Sequence, residues 1–81
     1  MASYFLDCSN QLCPAPILMT EERMKSLKEG DTLEVLYTDP GATEDLKAWC
    51  RMMGYDLSGF KKEKKSMWVD ILKKEAHEKR I

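Results

Sequence analysis

The 81-residue sequence lacks the signatures of several large functional classes. None of its apolar runs approaches the roughly 20 residues of a membrane-spanning helix, so we expect no membrane span. The N-terminus has neither the basic start nor the long apolar stretch of a secretory signal, which favours the cytoplasm. The sequence has no phosphate-binding loop, paired-carboxylate site or nucleotide fingerprint, so we expect no bound cofactor.

Histidine and cysteine are too few to suggest a metal site. The three cysteines and the single histidine show none of the paired short spacings of small zinc domains. His77 belongs to the charged C-terminal tail, and nothing in the sequence holds it against a cysteine to form a catalytic pair. We therefore expect no metal, and free thiols in place of a disulfide framework.

The length of the chain limits the number of domains, and its charge distribution indicates which kinds of partner it can bind. The chain is long enough for one modest core, so we predict a single domain over residues 1–81. The net charge of −1 divides into +4 from Phe60 to Ile81 and −5 before Phe60. A solvated basic edge is the favoured interpretation, and a basic rim that binds an acidic partner or RNA is the alternative. We do not expect direct nucleic-acid binding, because no aromatic residues are interleaved as a stacking platform.

Periodic apolar residues predict six secondary-structure elements. Strands are expected over residues 3–8, 32–38, 55–62 and 66–73, helices over 14–29 and 42–53, and a flexible tail over 74–81. Gly30 and Gly54 are expected to end the helices, and Glu44 and Asp45 suit the positive end of the second helix. The β-α-β-α-β-β order predicts the α+β class, a two-layer sandwich in which two helices cover one face of a four-stranded mixed sheet.

The segment Leu12-Cys13-Pro14-Ala15-Pro16 carries the most specific chemical signal. Pro14 disfavours helical geometry at Cys13, so Cys13 is expected to be the N-cap and Pro14 the first helical residue. Pro16 falls in the same first turn, where backbone N–H groups have no helical partners. The Cys13 sulfur would then lie near the Ala15 N–H at the positive end of the helix dipole, which favours a reactive thiolate with a lowered pKa. The alternative is an inert cysteine that only caps the helix.

The two other cysteines have different expected roles. Cys8 precedes Cys13 by five residues and could act as a resolving thiol through a disulfide. An inward-packed residue at a strand end is the favoured alternative for Cys8. Cys50 lies on the apolar face of the second helix and is assigned to the core. Met19 and Met53 could contribute to a docking surface, since methionine adapts to several partners.

The stretch from Leu6 to Pro16, a Leu-Asp followed by Cys-Pro-x-Pro, resembles the opening signature of the TusA/SirA family. Asp39-Pro40 after the second strand and the region Met52 to Tyr55 also correspond to features of that family. The resemblance covers residues 5–73. The fold that it implies agrees with the element order predicted from periodicity.

The resemblance implies a function and assigns residues to it. Family members accept sulfane sulfur as a persulfide and pass it to a partner protein, in tRNA thiolation, molybdenum cofactor assembly or dissimilatory sulfur metabolism. Cys13 corresponds to the sulfur-bearing cysteine, Pro14 and Pro16 to its supporting prolines, and Asp39 to a position near the site. The implied partners are a donor protein of the cysteine desulfurase or rhodanese type and an acceptor protein. We expect the carrier to be a monomer.

Two positions depart from the family pattern. Asn10 stands where the family usually has glycine, and asparagine tolerates the left-handed backbone better than other non-glycine residues. Ala15 stands where many carriers of tRNA thiolation have glutamate, and the loss of that carboxylate should favour a thiolate at Cys13. The branch of the family therefore stays open.

Two further functions remain open at the level of sequence. One is a non-catalytic regulatory module that binds RNA or protein, in which Cys13 is only a cap. The other is a thiol–disulfide protein that uses both Cys8 and Cys13.

Overall fold

The computed structural model describes residues 2–74 and confirms the predicted α+β class and element order. The elements are β1 (Ser3–Cys8), α1 (Ala15–Met24), β2 (Thr32–Tyr37), α2 (Ala42–Met53), β3 (Asp56–Glu63) and β4 (Ser66–Leu72). The predicted tail, residues 74–81, lies outside the described residues except for Lys74. Within the described part of the chain, neither helix is long and apolar enough to cross a membrane.

The four strands form one mixed sheet in the order β1-β2-β4-β3. β1 pairs with β2 in parallel, and β4 runs antiparallel to both β2 and β3. A parallel neighbour requires a crossover connection, which α1 provides between β1 and β2. The antiparallel pair β3–β4 needs only a short turn, in which Lys64 takes a left-handed φ of 58°. The connection between each of these two pairs of strands therefore suits the direction in which the strands pair.

The core lies between the two helices and one face of the sheet. Alternate residues of the central strands β2 and β4 are buried, as expected for strands with one covered face. These residues are Leu33, Val35, Tyr37, Met67, Val69 and Ile71. α2 covers them with Leu46, Trp49 and Cys50, and α1 adds Thr20 and Met24. The arrangement is the predicted two-layer sandwich.

The first helix is shorter than predicted: it ends at Met24 and not near Glu29. The carbonyl group of the last helical residue and one just beyond it accept hydrogen bonds from the residue that follows β4. Lys73 Nζ donates to the carbonyl oxygens of Met24 at 2.7 Å and Leu27 at 2.8 Å. A cation here also suits the negative end of the helix dipole. Gly30 does have a positive φ of 90°, but it lies in the turn before β2 and does not cap the helix.

Thr20, which is buried, and Thr43, which is half-buried, make a matched test of how polar groups are satisfied in the fold. Thr20 Oγ1 has no hydrogen-bond partner among residues 2–74, whereas Thr43 Oγ1 shares a 2.7 Å hydrogen bond with the hydroxyl of buried Tyr37. We predict that Thr20→Val raises the free energy of unfolding by about 1 kcal/mol, because it removes an unsatisfied buried hydroxyl. Thr43→Val should lower it by about 1–2 kcal/mol, because the Tyr37 hydroxyl loses its partner.

Urea denaturation of the wild type and the two variants measures both effects under reducing conditions. Changes of opposite sign support this account of the core. A Thr20→Val variant less stable than the wild type contradicts it.

Candidate functional site

The candidate site lies where two loops leave the sheet side by side. Cys8 and Tyr37 form the last pair of the parallel strands β1 and β2. The loop of residues 9–14 follows β1 and the loop of residues 38–41 follows β2, and each loop leads into a helix. Because parallel strands end at the same edge of a sheet, the N-terminal ends of α1 and α2 are neighbours.

Asn10 shapes the first loop and ties it to the second. Its φ is 65°, which confirms that asparagine accepts the left-handed conformation at the position where glycine was expected. The Asn10 N–H donates to Thr38 Oγ1 at 2.9 Å. A second bond, from the Gln11 N–H to the carbonyl oxygen of Cys8 at 3.2 Å, closes the turn.

The Asp39 carboxylate makes the second link between the loops. Asp39 Oδ2 accepts the backbone N–H of Cys13 at 2.6 Å, and Asp39 Oδ1 accepts that of Gly41 at 3.0 Å. The family resemblance implied that Asp39 lies near the site, and in the structure this side chain accepts a hydrogen bond from the backbone of Cys13. Each of its oxygens is occupied by a backbone donor.

Cys13 lies one residue outside the position that the sequence predicted. Pro14 is the N-cap, α1 begins at Ala15, and Pro16 is buried in the first turn. The prediction that Cys13 is the N-cap and that Pro14 is the first helical residue was therefore wrong by one position. The Cys13–Pro14 peptide bond is cis. The Ala15 N–H, expected near the sulfur, donates instead to the carbonyl oxygen of Leu12 at 2.8 Å.

The sulfur of Cys13 faces a carboxylate that the sequence analysis did not assign to the site. Cys13 is exposed, and its Sγ–H donates to Asp45 Oδ2 at 2.8 Å. This hydrogen bond raises the pKa of the Cys13 thiol above its ordinary value, with smaller contributions from desolvation and from the negative charges of Asp45 and Asp39. The expected lowering of the pKa by the helix dipole was therefore wrong: Cys13 lies before the N-cap of α1, and its thiol donates to a carboxylate.

Asp45 was missed because the sequence gave it a purely local role. It lies in the first turn of α2, where an acidic residue suits the helix dipole. The signal that could have found it is the parallel pairing of β1 and β2. That pairing brings the first turns of the two following helices together, although Asp45 lies 32 residues from Cys13.

The two other thiols are buried. Cys8 is 0% exposed and Cys50 2% exposed. Desolvation raises the pKa of both, that of Cys50 to about 11. A disulfide between Cys8 and Cys13 would require Cys8 to leave the core, so the burial of Cys8 weighs against a resolving role.

The other candidates from the sequence do not add to the site. No cluster of three metal-ligating side chains occurs among residues 2–74. His77 lies outside the described residues. Met53, proposed for docking, packs partly buried against the core, as does Met19.

The described part of the chain has grooves on its surface. An apolar groove between β1 and α1 includes Leu6, Leu18 and Met19, and Leu18 is 57% exposed. A second groove includes two residues of the loop after β2 and is lined by Thr38, Pro40, Lys62, Lys64, Lys65 and Met67. The predicted basic edge therefore lies beside the same loop that holds Cys13 through Asp39.

The fold and the site define a class: small α+β proteins that present one exposed cysteine before a helix. Within this class, the family model described as Sulfurtransferase TusA matches residues 4–74. The chain belongs to the TusA family, as the Cys-Pro-x-Pro segment indicated.

Curated relatives agree with this assignment. The chain is 44% identical over 62 residues (76% of this chain) to "Putative sulfur carrier protein YrkF" of Bacillus subtilis. It is 40% identical over 74 residues (90% of this chain) to "Putative sulfur carrier protein" of Aquifex aeolicus. The chain spans only 34% and 38% of the lengths of these two relatives.

A SirA-like protein from Desulfitobacterium hafniense has the same fold, with a TM-score of 0.76 at 22% identity. The match covers 89% of this chain and 99% of the other.

The burial of the cysteines predicts one reactive thiol per native chain. Iodoacetamide should label Cys13 alone under native conditions and all three cysteines after denaturation, because alkylation needs an accessible thiolate. Intact mass spectrometry counts the labels, and Cys13→Ser should remove the native one. Labelling of Cys8 at a rate comparable to that of Cys13 would contradict the burial of Cys8.

Proposed function

We propose that this protein is a sulfur carrier that accepts sulfane sulfur on Cys13 as a persulfide and passes it to an acceptor protein. The observation that carries the proposal is the exposure of Cys13 at the start of α1 while Cys8 and Cys50 are buried. Membership of a family of sulfurtransferases and the names of the curated relatives support the same role.

The reaction consists of two thiol exchange steps. The Cys13 thiolate attacks the outer sulfur of a donor persulfide, R–S–SH. The new S–S bond forms at Cys13, the donor S–S bond breaks, and the donor leaves as R–S⁻, which takes a proton from water. In the second step an acceptor thiolate attacks the outer sulfur of Cys13–S–SH, and Cys13 leaves as a thiolate. The sulfane sulfur moves with no net oxidation.

The residues around Cys13 act by holding it in place. The Asp39 carboxylate fixes the Cys13 backbone by accepting the N–H group of Cys13. Pro14 and Pro16 restrict the backbone at the first turn of α1. Ala15 adds no charge between the prolines. Since the sulfur is exposed and no enclosed cleft is needed, the partner protein supplies much of the orientation of the two reacting sulfurs.

The partners that suit this chemistry are proteins. The donor would be of the cysteine desulfurase or rhodanese type, and the acceptor would carry a reactive cysteine. The route served would be tRNA thiolation, cofactor assembly or another branch of sulfur metabolism. The expectations of a monomer and of a cytoplasmic location belong to this proposal.

Intact mass spectrometry after incubation with a persulfide donor tests the carrier. The wild type and Cys8→Ser should each gain the mass of one sulfur atom, and the gain should disappear on reduction. Cys13→Ser should gain none, because it has no accessible thiol to form the persulfide. Cys8→Ser thus serves as the matched control for the loss of a cysteine.

Two other results would redirect the proposal. No gain with several donors would contradict the carrier, and RNA or protein affinity retained in Cys13→Ser would then favour a binding module, since Cys13 is exposed and serine is similar in size. A loss of two hydrogens that requires both Cys8 and Cys13 would favour a thiol–disulfide protein.

A further inference from the structure

The hydrogen bond between Cys13 and Asp45 poses a chemical problem for a sulfur carrier. The thiolate is the nucleophile in sulfur exchange, yet Cys13 Sγ–H donates to Asp45 Oδ2 at 2.8 Å. A carboxylate stabilises the thiol by accepting its proton and destabilises the thiolate by repulsion. The hydrogen bond to Asp45 therefore favours the thiol form of Cys13, which is less reactive than the thiolate.

The two carboxylates beside Cys13 differ in how firmly they are held. Asp39 binds one backbone N–H with each oxygen, those of Cys13 and Gly41, so its position is part of the loop structure. Asp45 is exposed and makes no ion pair with any residue from 2 to 74. The neighbouring base, Lys47, pairs with Glu44 at 3.6 Å. Asp45 is the carboxylate that an incoming cation can reach.

We propose that Asp45 holds Cys13 as a protonated thiol in the free carrier, and that a basic side chain of a docking protein releases the thiol by pairing with the Asp45 carboxylate. The inference rests on the proposed function, since it concerns how the same sulfur is controlled. The docking surface is then the acidic edge formed by the start of α2, and the matching surface of the partner carries arginine or lysine.

The release needs no reagent besides the partner. When a cation pairs with Asp45, the carboxylate no longer accepts the Sγ–H, and its charge no longer repels a negative sulfur. The proton leaves to water, and the Cys13 thiolate remains near the N-terminal end of α1, whose dipole favours an anion. The thiolate then attacks the outer sulfur of the donor persulfide as written above.

The charge distribution of the chain suits such a partner. Residues before Phe60 carry a net charge of −5, and both helix starts at the site belong to this part. A carrier whose exposed thiol becomes more reactive in a complex would react more slowly with small oxidants and electrophiles when free, because these react with the thiolate. Control by docking therefore gives selectivity without an enclosed active site.

The rate of alkylation of Cys13 by iodoacetamide, followed from pH 6 to pH 10, tests the first half of the inference. Asp45→Asn should shift the profile to lower pH and speed alkylation at pH 7 by about three- to tenfold, because loss of the carboxylate lowers the pKa of the Cys13 thiol and raises the fraction of thiolate. Glu44→Gln is the matched control: it removes an equal charge from the same turn of α2 but no contact with Cys13. Its profile should stay close to that of the wild type.

The second half of the inference is tested with a hexa-arginine peptide as the cation. The peptide should accelerate alkylation of the wild type and of Glu44→Gln by about twofold or more at pH 7, and Asp45→Asn clearly less, since its carboxylate is already gone. Sodium chloride at equal ionic strength controls for screening. Equal acceleration of all three proteins, or of none, would overturn release through Asp45.

The outcomes separate the inference from the proposed function. An Asp45→Asn profile equal to the wild type, or slower alkylation in that variant, overturns the role of Asp45 and leaves the carrier intact. Failure of the wild type to take up sulfur overturns the carrier, whatever the alkylation profiles show.

Discussion

The parallel pairing of β1 with β2 is the constraint on which the site depends. Two parallel strands end at the same edge, so the loops that follow them, and the helices those loops begin, must lie together. Asn10 and Asp39 then convert this proximity into fixed geometry, one through a left-handed turn and the other through two backbone hydrogen bonds. Cys13 is positioned by long-range contacts as much as by the helix that follows it.

The electrostatics of Cys13 result from two opposed fields. The N-terminal end of α1 favours an anion at the sulfur, whereas Asp45 and Asp39 raise the pKa of the thiol. The hydrogen bond to Asp45 dominates because it acts at contact distance on the proton itself. The field of a helix end is spread over several backbone groups and is weaker. It has the larger effect on the pKa of Cys13 when another charge neutralises the Asp45 carboxylate.

The core contributes to the chemistry by burying the other two thiols. Cys8 ends β1 with its side chain against the core, and Cys50 is packed on the inner face of α2. Desolvation raises the pKa of both, so neither competes with Cys13. Thus the same burial that stabilises the sandwich leaves the chain with one accessible thiol, which is the simplest requirement for a carrier.

The sequence by itself determined the element order, the buried faces and the placement of Cys13 just before a helix. These features depend on apolar periodicity, proline geometry and backbone preference, which act within a few residues. The end of α1 and the charge state of Cys13 were decided by tertiary structure. Lys73 reaches α1 from β4, and Asp45 reaches Cys13 across 32 residues. Such contacts depend on strand register and helix packing, for which no local pattern of residues exists.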